Sequence, residues 1–147
     1  MSRIINRVEQ DFKETSEEQT IYTTKKNINQ VTAIASSSCL LAHQLDAKLM
    51  FVLTATGWTA QEVSANRPIA PIIAVTDDMK VYKQLCLIWG VKSFYVPKIE
   101  DNSKVYDGVI HKIKTQKYVE SGDHVVMVVG TQPGVPGKTN SIRVATV

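Results

Sequence analysis

A chain of 147 residues that is 44% hydrophobic and 21% charged can bury one ordinary core and has the make-up of an average globular domain, which excludes disordered, collagen-like and membrane-embedded classes. Its formal charge of +3 is mild and its lysines are scattered, so no basic run exists to neutralise a row of phosphates and no nucleic-acid partner is expected. No apolar stretch approaches the ~20 residues of a membrane span, and the opening MSRIINRVEQDF places charges where a secretory leader needs an apolar run, so a cytoplasmic chain without a membrane partner is expected.

Ile4, Ile5, Val8 and Phe12 recur at helical spacing and then give way to polar TSEEQTIYTT, so residues 1–24 read as a helix and linker and residues 25–147 as the domain proper. From about Lys26 an apolar stripe through Ile28, Val31, Ile34, Ala35, Ser38, Cys39, Ala42 and Leu45 predicts an amphipathic helix lying on a sheet. LMFVL (49–53), PIIAV (71–75), SFYV (93–96) and VVMVV (125–129) are short unbroken apolar runs, as strands buried on both faces appear in sequence. Helices are predicted between them, over Thr59 to about Ala65, Asp77 to about Trp89, and about Ser103 to Tyr118. Cys39 and Cys86 fall inside apolar helical patterns and read as small buried hydrophobes rather than a disulfide, and Trp89 reads as core.

Alternating strands and helices joined by right-handed crossovers give an α/β three-layer sandwich, a five-stranded, mostly parallel sheet with helices on both faces. The final SIRVATV follows VVMVVG through the loop GTQPGVPGKTN, which is too short for a crossover helix, so the last strand is expected antiparallel at an edge.

Ligands of open α/β sheets collect beyond the carboxyl ends of the strands. The turn Thr54-Ala55-Thr56-Gly57-Trp58-Thr59 passes from a buried strand into a helix. Three hydroxyls and a glycine there suit an anion cradle at a helix start; they equally suit simple helix capping by Thr54 or Thr56. Trp58, within the turn, is placed to shield a ligand or stack on its ring. The second loop, with Gly134, Gly137, Lys138 and Thr139, has glycines for tight turning and a lysine charge for a phosphate, and the same composition serves a plain turn between strands. Neither loop matches a dinucleotide or Walker fingerprint, since no helix follows the second. His43, His111 and His124 lie on separate elements without metal-ligand spacing, and no catalytic triad or carboxylate pair is signalled, so neither a catalytic nor a metal site is expected.

The run VLTATGWTAQEVSANRPIAPIIAVTDDMKVYKQLCLIWGVKSFYV, followed by SGDHVVMVVGTQPGVPGKTNSIRVATV, resembles the C-terminal domain of the pyruvate kinases over almost the whole chain. The shared features are a strand entering a Thr-x-Thr-Gly-x-Thr-Ala turn, Arg-Pro, Ala-Pro-Ile-Ile-Ala-Val-Thr, Trp-Gly-Val, and a glycine loop closing on Thr-Asn. The resemblance implies a five-stranded sheet that binds an allosteric effector rather than substrate. Thr54, Thr56, Gly57 and Thr59 match the turn holding an effector phosphate, and Gly134, Gly137, Lys138 and Thr139 match the loop that closes over it.

It further implies that phosphoenolpyruvate, ADP, magnesium and potassium belong to catalytic domains outside this chain. The domain alone then needs no cofactor and does not transfer phosphoryl groups, and the intact enzyme is a homo-oligomer. The start MSRIINRVEQ is similar to mid-chain sequence of the family, which favours a fragment. Ala55 and Trp58 stand where the family often has lysine, arginine or another polar residue, and residues 98–109 hold no arginine. A monophosphate, either a sugar phosphate or a nucleotide, therefore suits the turn better than a sugar bisphosphate. The competing expectations are a free-standing phosphate-binding module and a purely structural oligomerisation domain.

Overall fold

Strands that can each hydrogen-bond two neighbours assemble into one sheet, and the direction in which the chain steps along it decides where a ligand can sit. The structure is a computed structural model and describes residues 28–97, 102–130 and 139–147. The segments 1–27, 98–101 and 131–138 lie outside the described residues, and with them the expected N-terminal helix and linker and Gly134, Gly137 and Lys138.

In chain order the elements are α1 (Gln30–Gln44), β1 (Leu49–Leu53), α2 (Trp58–Ala65), β2 (Ile72–Thr76), α3 (Met79–Leu85), β3 (Val91–Tyr95), α4 (Asn102–Thr115), β4 (His124–Gly130) and β5 (Thr139–Thr146). Their order across the sheet is β3-β2-β1-β4-β5. Strands β1 to β4 are parallel, and β5 runs antiparallel to β4. The expected α/β architecture, with its antiparallel last edge strand, is the one observed.

Every residue of β1 and β2 is buried, as unbroken apolar runs require when both faces are covered. Alternate side chains point to opposite faces. Met50, Val52, Ile72, Ala74, Val126 and Val128 meet Ala35, Cys39 and Ala42 of α1, Ala60 and Val63 of α2, and Val81 and Leu85 of α3. Phe51, Leu53, Ile73, Val75, Val125 and Met127 meet Val105, Val109, Ile110 and Ile113 of α4, with the Tyr106 ring edge-on to Phe51 at 5.5 Å. Among the described residues three helices thus cover one face and one the other. That division follows from handedness: the chain steps outward from β1 to β2 and β3, then returns past β1 to β4, and a right-handed crossover in the reversed direction falls on the opposite face.

Two local expectations are corrected. The helix predicted to reach Trp89 ends at Leu85, because the chain tightens into Leu87 N–H donating to the Gln84 carbonyl (3.1 Å) and Ile88 N–H to that of Leu85 (3.1 Å), and then turns through Gly90 at φ +68°. The tighter turn rotates the following side chains off the core. Trp89 is 43% exposed rather than core, with the Arg67 guanidinium 4.3 Å from its ring centroid. Cys86 is exposed rather than buried, with Sγ 3.0 Å from Ser93 Oγ. Cys39 is buried as expected, and burial pushes its thiol up to about 12. Strand β3 also starts earlier than predicted, at Val91 instead of Ser93.

Candidate functional site

Stepping in opposite directions from β1, to β2 on one side and to β4 on the other, makes the gap between β1 and β4 the switch point of the sheet. At such a point the loops leaving the carboxyl ends diverge to opposite faces and leave a crevice. The loop leaving β1 is the Thr54–Gly57 turn, and the loop leaving β4 spans residues 131–138. The Thr54–Gly57 turn therefore borders this crevice, while residues 131–138, the second loop selected from the sequence, lie outside the described residues.

Gly57 is the residue before the first turn of α2, with φ +83°, and no side chain caps the helix. The conformation favours glycine, and a second reason comes from packing: a Cβ at Gly57 would stand 3.3 Å from Val81 Cγ1 and 3.6 Å from Leu85 Cδ2. The N–H of Gly57 donates to Thr54 Oγ1 at 2.9 Å, and Thr54 N–H donates to the Val75 carbonyl at 3.0 Å. Buried Thr54 thus closes the turn itself rather than capping the helix. The helical ladder begins with Gln61 N–H donating to the Gly57 carbonyl at 3.0 Å, which leaves the N–H groups of Trp58, Thr59 and Ala60 at the open end of the helix, as the geometry of any helix start dictates. The first turn holds no acidic residue, so nothing within it offsets the positive end of the dipole.

The hydroxyls take different environments. Thr56 is exposed, Trp58 is 54% exposed, and Thr59 is only 5% exposed. Thr59 Oγ1 lies 2.7 Å from Thr139 Oγ1, and Thr139 is 6% exposed. The Thr139 carbonyl accepts from Gln30 Nε2 at 3.1 Å. Thr139 therefore ties the starts of α1, α2 and β5 together where β4 has its register irregularity, between Val129 and Gly130. The structure brings Thr54, Thr56, Gly57, Trp58, Thr59 and Thr139 to one end of the sheet; Gly134, Gly137 and Lys138 lie outside the described residues. Gln30 was missed from sequence, because nothing in a helix-start glutamine signals contact with a residue 109 positions on.

Among the described residues no group of three or more His, Cys, Asp or Glu side chains could hold a metal ion, and no helix is long and apolar enough to cross a membrane. His43 and His111 are exposed, and half-buried His124 has Nδ1 3.3 Å from Thr146 Oγ1. At the other end of the sheet a cavity of ≈ 180 Å³ is lined by residues including Cys39, His43, Asp46, Lys48 and Ile69. There Lys48 Nζ pairs with Asp46 Oδ2 at 2.8 Å, holding the Asp46 carboxyl below its ordinary range and the Lys48 ammonium above its own.

The family described as "Pyruvate kinase, alpha/beta domain" matches residues 32–145. Pyruvate kinase 2 of Synechocystis sp. is 37% identical over 147 residues, covering 100% of this chain and 24% of that protein. A pyruvate kinase of Clostridium acetobutylicum is 37% identical over 123 residues, 84% of this chain and 26% of that one. Among solved structures, Cryptosporidium parvum pyruvate kinase in complex with ADP superposes with a TM-score of 0.77 at 32% identity, over 84% of this chain and 25% of that one. The chain spans about a quarter of the length of the curated relatives it matches. With its five strands in the expected order of directions and that family matching all but the first 31 and last two residues, the chain belongs to the pyruvate kinase C-terminal alpha/beta domain family.

Proposed function

We propose that this chain is the regulatory domain of a pyruvate kinase, binding a phosphorylated small molecule between the carboxyl ends of β1 and β4 and contributing to subunit assembly. One observation carries the ligand reading. The turn with open helix N–H groups and the start of β5 are joined at the sheet's switch point by the Thr59–Thr139 hydroxyl contact of 2.7 Å. A phosphate at the start of α2 would meet the Trp58, Thr59 and Ala60 N–H groups and the exposed Thr56 hydroxyl. The loop ending at Thr139 would close over it, with Lys138 supplying charge.

The half-exposed Trp58 ring beside that position suits stacking on the base or sugar of a monophosphate. Phosphoryl transfer from phosphoenolpyruvate to ADP, with its magnesium and potassium ions, falls to the catalytic part of such an enzyme. Ordering the loop in the intact enzyme would then bias how subunits pack, and through that substrate affinity. A cytoplasmic setting follows from that glycolytic role.

Calorimetric titration with a nucleoside monophosphate, a sugar monophosphate, inorganic phosphate and fructose bisphosphate tests the reading. Binding of a monophosphate that weakens in Thr56→Ala, with the mutant still folded, is the expected result. Unchanged affinity in folded Thr56→Ala defeats the site, and tighter binding of the bisphosphate than of every monophosphate defeats the ligand class.

A second reading, assembly without an effector, draws on β5. This eight-residue strand pairs with β4 alone among the described strands, and Val144 on it is 45% exposed. An open edge of that length is a template for a second strand. Sedimentation with and without a monophosphate separates the two: a dimer indifferent to ligand and abolished by Val144→Pro supports assembly alone.

A further inference from the structure

The cavity of ≈ 180 Å³ at the amino end of the sheet has a buried floor and an exposed rim. Cys39, Ala42, Ala47 and Ala70 in its lining are at most 8% exposed, whereas Asp46, Lys48 and Ile69 in the same lining are exposed. An apolar cavity of roughly 150 Å³ accepts a benzene ring, so the floor has room for a small hydrocarbon group. Its walls are fixed in advance. Ala47 N–H donates to the Ala42 carbonyl at 2.8 Å, Lys48 N–H to that of His124 at 3.0 Å, and Met50 N–H to that of Pro71 at 2.9 Å. Little ordering therefore remains to oppose a ligand. Cys39 Sγ lies 3.7 Å from the Val63 carbonyl, and burial pushes its thiol up to about 12, so the floor carries no charge.

The acid and the base of the rim are placed differently. The Asp46 side chain is 91% exposed and that of Lys48 49%, so the carboxylate stands in water while the lysine lies against the protein. Their 2.8 Å contact is a surface ion pair, worth little in water. A ligand carboxylate whose apolar body fills the floor can therefore take the ammonium from Asp46, whereas an ammonium ligand would have to draw Asp46 in from solvent. Among the described residues Cys39, Asp46, Lys48 and Tyr106 are held off their ordinary pKa, and the first three line this one cavity, a concentration that marks binding sites more often than plain surface. We propose that this cavity binds a small apolar monocarboxylate, its hydrocarbon body on Ala42, Ala47 and Ala70 and its carboxylate on Lys48 Nζ. The site lies at the opposite end of the sheet from the proposed phosphate position and rests neither on that reading nor on the chain's place in a pyruvate kinase.

Benzoate titrated into the full chain, followed by the amide resonances of Ala42, Ala47 and Ala70, tests it. One saturable site at millimolar benzoate is expected, with acetate, benzyl alcohol and benzylamine each about tenfold weaker or worse. Lys48→Met keeps the stem without the charge and should weaken benzoate about tenfold. Asp46→Asn removes the internal competitor and should tighten benzoate about two- to fivefold. Asparagine tolerates the φ of +46° at that position, and both substituted side chains are exposed, so neither variant disturbs the core. The absence of a saturable shift overturns the proposal, as does unchanged affinity in Lys48→Met. Benzylamine binding as tightly as benzoate, or Asp46→Asn that fails to tighten binding, overturns it too. Displacement of benzoate by an equal concentration of inorganic phosphate does the same, since the apolar floor would then contribute nothing. Benzoate binding in a chain that takes up no phosphate sinks only the phosphate reading, and the converse result sinks only this one.

Discussion

Thr59 and Thr139, eighty positions apart in the chain, share a buried hydroxyl–hydroxyl contact of 2.7 Å that joins the first turn of α2 to the start of β5. One hydroxyl donates and the other accepts, so removing either oxygen strands its partner in the core.

A double-mutant cycle exposes that coupling. Thr59→Val and Thr139→Val should each destabilise the chain by about 1–3 kcal/mol, because a buried hydroxyl is left unpaired, whereas the double mutant should cost less than their sum. Urea denaturation of the four proteins provides the check; strictly additive losses would show that the contact contributes nothing.

Gly57→Ala should lower stability by about 1–2 kcal/mol through the left-handed backbone alone, with a further loss from the Cβ pressing on Val81 Cγ1 at 3.3 Å. Thermal unfolding reads the change. A companion Val81→Ala that recovers part of the loss would identify the steric share.

Thr54→Val removes the oxygen that accepts the Gly57 N–H, while Thr54→Ser keeps it. The valine variant should lose about 1–3 kcal/mol and the serine variant appreciably less. Equal losses in denaturant unfolding would argue for packing of the methyl group instead.

Cys39 makes the fold sensitive to alkali. Its thiol, raised by burial to about 12 from its ordinary value of 9.0, stays protonated in the folded chain while the unfolded chain ionises. The folded state then holds more protons, so stability conferred by the neutral thiol is complete below about 9 and is lost as pH rises toward 12. Cys39→Ala should be less stable at neutral pH, having lost buried volume, yet show a shallower decline over pH 9–11. Denaturation midpoints of the two proteins across that range settle the sign.

The central sheet was legible because LMFVL and VVMVV carry no polar residue, and only a strand covered on both faces tolerates that. At the edge the same rule failed. Lys92 interrupts the apolar run of β3, so Val91 and Lys92 were left out, although an edge strand with one wet side has room for a lysine whose Nζ donates to Tyr118 Oη at 2.7 Å. Helix α3 was overrun because Val81, Leu85 and Ile88 hold helical spacing past the point where the backbone tightens, and that tightening turned Cys86 and Trp89 outward. Within the site, the Thr54–Thr59 turn could be found from its own residues. Its link to Thr139, and the support from Gln30, exist only once β4 and β5 are in place, and local patterning has no access to contacts across that span.

The placement of β1 beside β4 also bears on synthesis. β1 is complete at Leu53 and β4 only at Gly130, so on the ribosome this fully buried strand must wait for nearly eighty further residues before its second edge is covered. During that interval its open side is a template for another nascent chain, and yield in the cell should depend on translation speed and chaperone supply more steeply than the finished domain's stability would suggest.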